Sequence, residues 1–70
     1  MPEENSYQNA SPRLMSPKEA SAATTLSRVL LTIMAREGHF PKPVQLGVKR
    51  IAFVRAEVDE WIDERIATRK

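Results

Sequence analysis

Between Gly38 and Gly47 the chain reads Gly-His-Phe-Pro-Lys-Pro-Val-Gln-Leu-Gly, and this stretch restricts the fold more than any other. Pro41 and Pro43 hold φ at about −65°, donate no backbone hydrogen bond and push the residues before them out of the helical region. Phe40 to Pro43 must therefore be an extended, pre-set connector. Gly38 suits the left-handed stop of a preceding helix. Val44-Gln45-Leu46 is a β-prone run that turns at Gly47. The chain has to leave a helix, pass a rigid elbow and enter a short strand. That elbow aims Lys42, and then Lys49 and Arg50, at a defined angle to the helix.

The helix before the elbow is expected from Ser27 to about Glu37, with Ser27 as its N-cap. An earlier helix, about 17 to 23, opens on Ser16-Pro17-Lys18-Glu19: an N-cap, a proline at the first helical position and a capping-box glutamate. Ala20 and Ala23 would be its small inward residues, and Thr24-Thr25 its break. Beyond the elbow, Val44–Leu46 and Ile51–Val54 read as a hairpin with Gly47-Val48-Lys49-Arg50 at its tip. Alternation would put Val44, Leu46, Ile51 and Phe53 on one face. A last helix, about 56 to 68, carries Val58, Trp61, Ile62 and Ile66 as an apolar stripe. Its acidic residues lie early and Arg65, Arg69 and Lys70 late, as the helix dipole favours. Trp61 is the expected core anchor, against Phe53 and Leu46, with Phe40 plugging the core beneath the elbow.

Seventy residues allow one small domain with a thin core. Residues 1–13 are polar, contain two prolines and show no apolar period, so they read as a disordered leader, with the domain over 14–68. Net charge is +2, but it is unevenly spread. Residues 13–55 hold eight basic and two acidic side chains, net +6, while the segments on either side are each −2. A basic middle section points to a polyanionic partner, most simply nucleic acid. No run approaches the ~18 apolar residues of a membrane span, and no signal-peptide pattern opens the chain, so a cytoplasmic location is expected.

Catalysis finds little support. There is no cysteine, one histidine, no phosphate-cradling glycine loop and no nucleophile elbow. Glu57, Asp59, Glu60, Asp63 and Glu64 read as the solvent face of the last helix with no facing pocket. No cofactor, metal, small-molecule substrate or membrane partner is expected.

Helix, turn, helix, two-strand wing and closing helix make an α+β, mainly helical arrangement of winged helix-turn-helix type. The segments Leu26-Ser27-Arg28, Glu37-Gly38-His39-Phe40-Pro41-Lys42-Pro43-Val44, Leu46-Gly47 and Glu57-Val58-Asp59-Glu60-Trp61-Ile62 carry a closer likeness. In order and spacing, from about Leu14 to Ile66, they resemble the AlpA family of prophage regulators, which are MerR-like winged proteins. The resemblance implies a DNA-binding transcriptional regulator. It equally implies an excisionase that bends attachment-site DNA beside an integrase, in a bacterial cytoplasm and close to the nucleoid. The chain departs from the family pattern at Val29 and Leu30, where Ser and Thr are usual, at Thr32 for Tyr, and at Ile33 for a frequent basic residue.

The departure bears on what the helix touches. At about 100° per residue, Val29, Leu30, Ile33 and Met34 form one apolar arc, with Arg28, Leu31, Thr32 and Ala35 opposite. The family pattern instead turns positions 31, 34 and 35 to the core and 29, 30 and 33 to DNA. Three readings stand: the arc is ordinary core, it meets DNA by apolar contact, or Val29, Leu30 and Ile33 bind protein, either a second copy or another regulator. The polar DNA-contact candidates on this helix are Ser27, Arg28, Thr32 and Arg36. His39 and Lys42 flank the elbow as backbone contacts. Lys49 and Arg50 at the tip suit phosphate or minor-groove contact, Arg50 foremost.

Overall fold

The computed structural model describes residues 12–70; most of the expected leader, with Tyr7, lies outside the described residues. The fold is α+β, three helices with a small three-stranded antiparallel sheet, and it is compatible with a winged helix. In chain order the elements are β1 (Leu14–Met15), α1 (Pro17–Thr24), α2 (Arg28–Arg36), β2 (Val44–Gln45), β3 (Ile51–Val54) and α3 (Arg55–Ala67).

Local chemistry sets the helix ends. Ser16 and Glu19 form the reciprocal capping box at the head of α1: Glu19 N–H donates to Ser16 Oγ at 3.1 Å, and Ser16 N–H donates to Glu19 Oε1 at 2.8 Å. Thr25 closes α1 at φ 66°, a left-handed conformation unusual for a β-branched residue. Ser27 Oγ accepts from Leu30 N–H at 3.0 Å and starts α2, and Gly38 at φ 85° ends it. α3 follows β3 with no side-chain cap; instead Arg55 N–H donates to the Arg13 carbonyl at 2.8 Å, satisfying one of its free first-turn amides. The Arg55 guanidinium adds a bond from Nε to the Pro12 carbonyl at 2.7 Å.

Every element except β2 supplies the core: Met15 from β1, Ala20 from α1, Leu31 and Ala35 from α2, Phe53 from β3 and Val58 from α3, with Phe40 from the elbow. Phe40 is the plug expected of it. Its ring meets Phe53 edge-on at 5.3 Å and Trp61 edge-on at 5.0 Å.

Five details differ from the sequence reading. β1 was not expected; it pairs with β3, which becomes the middle strand of order β1-β3-β2. The hairpin register sets Val44 opposite Ala52 and Gln45 opposite Ile51. Residues directly opposite share a face, so Phe53 and Ile51 lie with Gln45 and not with Val44, while Leu46 is exposed. Trp61 therefore packs on Phe40, half-buried at the core margin, with its indole N–H donating to the His39 carbonyl at 2.8 Å. Ala23 is exposed, leaving Ala20 as the inward residue of α1. Ile66, at the end of the apolar stripe of α3, is also exposed.

Candidate nucleic-acid interface

α2 removes one of the three readings its sequence left open. Leu31 and Ala35 are buried and Met34 partly so, while Val29 is 70%, Leu30 40% and Ile33 39% exposed. The arc 29-30-33 is therefore not core. The small volume of Ala35 lets α2 seat closely on its neighbours, and the helix turns that side inward although the other is equally apolar.

The polar candidates on α2 divide into two kinds. Ser27 uses its hydroxyl oxygen as the helix cap, and Thr32 Oγ1 donates to the Arg28 carbonyl one turn back at 3.0 Å. Both are thus engaged by their own helix. Arg28 and Arg36 are exposed at opposite ends of α2, and Arg36 shares the open side with Val29 and Ile33.

The hairpin tip is folded by its own backbone. Leu46 and Gly47 N–H both donate to the Arg50 carbonyl, at 2.8 and 3.2 Å, and the Gln45 side-chain amide donates to the Gly47 carbonyl. This holds Lys49 and Arg50 exposed beside a groove of about 470 Å³ between the hairpin and the starts of α1 and α2. Arg28 lines the same groove, and so does Lys18 from the first turn of α1. Four cations thus surround a space with one carboxylate, Glu19, among its described lining residues. That carboxyl is held below its usual pKa, chiefly by the Ser16 backbone N–H, so it is ionised and engaged in the cap.

His39 and Lys42 lie elsewhere. They line a second open groove, between the elbow and α3, together with Glu57, Glu60 and Glu64. The acidic face of α3 thus does border a groove, contrary to expectation. Three carboxylates there against Lys42 and Arg65 make it a poor host for phosphate; Arg65 also lies over the Trp61 ring at 5.6 Å. Lys18 was not singled out from the sequence. It enters the charge count of the basic section, but no local pattern says that the start of α1 folds against a hairpin tip some thirty residues later. Among the described residues no group of His, Asp or Glu side chains is arranged to hold a metal, and no helix is long and apolar enough to cross a membrane.

Comparison with known proteins adds a family. The family described as Prophage CP4-57 regulatory protein (AlpA) matches residues 13–66. An uncharacterised protein, ORF88, of Enterobacteria phage P4 is 44% identical over 45 residues, covering 64% of this chain and 51% of its own length. The DNA-binding transcriptional activator AlpA of Escherichia coli (strain K12) is 50% identical over 26 residues, 37% of each chain. The chain thus spans about half or less of the curated relatives it matches. No solved structure gives a significant match.

Proposed function

The chain belongs to the AlpA family of prophage regulatory proteins, and we propose that it is a DNA-binding regulator of a prophage or integrative element. It acts as a transcriptional regulator, as an excisionase, or as both, near an integrase gene or attachment site. In this reading residues 14–68 are a MerR-like winged helix-turn-helix domain, with α1 and α2 as the helix pair and β2–β3 as the wing. The protein works in the bacterial cytoplasm on the nucleoid and needs no cofactor. The observation that carries the reading is the convergence of Arg28, Lys49 and Arg50 on one groove where a single carboxylate is already engaged.

Those three side chains contact DNA phosphates, with Arg50 reaching toward the minor groove. Arg36 and Thr32 flank the open side of α2, while Ser27 keeps the helix end in shape. His39 and Lys42 are peripheral backbone contacts at most, since carboxylates share their groove. Several copies side by side bend the DNA, as excision requires of so small a protein.

The exposure of Val29, Leu30 and Ile33 favours a second reading. Here the same winged domain binds itself or another regulator, such as the integrase, through the apolar side of α2.

A mobility-shift assay on the DNA upstream of the neighbouring integrase gene and on the attachment site tests the proposal. A complex at low salt that is lost in Arg28→Gln/Lys49→Gln/Arg50→Gln supports it. No complex at low salt contradicts it. Leu30→Glu tests the second reading: unchanged oligomeric state and unchanged regulation in a folded variant refute it.

A further inference from the structure

We infer that Lys18 is a phosphate-binding residue of the DNA interface, closing the groove from the α1 side opposite the hairpin tip. The inference rests on the DNA-binding reading above and adds to it a contact from a third element. Lys18 is exposed and lines the groove with Arg28, Lys49 and Arg50, so the cations come from α1, α2 and the hairpin together. A phosphate run entering there would meet positive charge on both walls.

The second observation is that Lys18 is electrostatically misplaced for its own helix. The first turn of a helix carries the positive end of the macrodipole and favours acidic residues. α1 satisfies that rule with Glu19, the capping-box residue, and breaks it with Lys18 beside it. α2 repeats the pattern: it opens on Arg28 and has no acidic residue in its first turn. All three helices thus carry a cation at the end that disfavours it, and those of α1 and α2 line one groove. Arg55, at the head of α3, lies outside that groove, and its guanidinium donates to the Pro12 carbonyl at 2.7 Å. Arg55 thus serves the fold, whereas Lys18 and Arg28 place their charge on the groove, where it suits an anionic ligand.

The two roles predict opposite responses. Lys18→Gln should melt at the same or a higher temperature, because it removes an unfavourable charge from the helix end. Its DNA binding should weaken, with a slope of log K against log salt shallower by ~0.9, one phosphate contact. Between 50 and 200 mM salt the affinity loss should then be about 3.5-fold smaller than in the wild type. Lys18→Arg should restore the wild-type slope. Lys70→Gln, with the same change in net charge but past the end of α3 and outside both grooves, should leave the slope unchanged. Fluorescence anisotropy on the attachment-site duplex reads all four proteins. If the wild type binds and Lys18→Gln keeps its slope, or Lys70→Gln alters the slope equally, the Lys18 inference fails while the DNA reading stands. If the wild type binds no duplex at 50 mM salt, both fall.

Discussion

Replacing Leu31 by alanine removes one of the three largest fully buried side chains, the one that seats α2 on the rest of the domain. Burying a leucine contributes about 1.5–3 kcal/mol by transfer alone. The cavity left behind adds to this, so large-to-small changes at such sites cost about 2–5 kcal/mol. With core neighbours arriving from five other segments, little can collapse into the space, and a cost of ~3 kcal/mol is expected. A domain of about 60 residues has a total stability of roughly 3–9 kcal/mol. The variant should therefore melt about 12–24 °C lower. Val29→Ala is the contrast: its side chain is 70% exposed, and alanine is the better helix former, so stability should change by at most ~0.5 kcal/mol and tend upward. Far-UV circular dichroism during heating and urea titration measures both. If Val29→Ala or Ile33→Ala costs more than ~2 kcal/mol while Leu31→Ala costs less than ~0.5, α2 is turned the other way and its apolar arc is core.

Gly38→Ala should cost about 1–2 kcal/mol through backbone strain alone, because φ is +85° and no atom lies within 4 Å of an added Cβ. Gly47→Ala, at ordinary φ with its nearest neighbour at 3.9 Å, should be near neutral in the same urea titrations. Ser16→Ala should lose ~1 kcal/mol with the cap of α1. Glu19→Gln should lose only the charge-dependent part of the cap. Because folding lowers the Glu19 pKa through its bond from the Ser16 backbone N–H, that part is present above the unfolded carboxyl's pKa. It disappears as pH falls through the folded value. The gap between wild type and Glu19→Gln should therefore be largest at pH 7 and close in acid; a gap that widens in acid contradicts the assignment.

The first two helices were legible because their ends are written in single residues, Ser16 with Pro17 and Glu19, Ser27, and Gly38, and the third because of its apolar stripe. The elbow and its Phe40 plug were legible for a related reason, since two prolines leave the backbone almost no choice. What failed depends on pairing over distance. The two residues of β1 show no alternation, and only Phe53 and Val54, some forty residues on, make them a strand. The faces of the hairpin turn on one residue of register, and a shift of one reverses every side chain; pairing Val44 with Ala52 sent Leu46 outward and left Trp61 to Phe40. The rotation of α2 was undecidable from periodicity, because both sides are apolar; only the family likeness turned positions 31, 34 and 35 to the core, where the fold has them. At the candidate site, Arg28, Lys49 and Arg50 were singled out by charge, helix-end and turn chemistry. Grouping them with Lys18, and apart from His39 and Lys42, required the folded chain.

The central claim, that DNA lies along the groove between the hairpin tip and the starts of α1 and α2, is tested most directly by amide chemical-shift mapping. The ¹⁵N-labelled protein is titrated with an attachment-site duplex at low salt. Saturable shifts should concentrate at Lys18, Arg28, Lys49 and Arg50 and fade as salt is raised. Shifts centred instead on His39, Lys42 and the acidic side of α3, or no shifts at any duplex concentration, would contradict it.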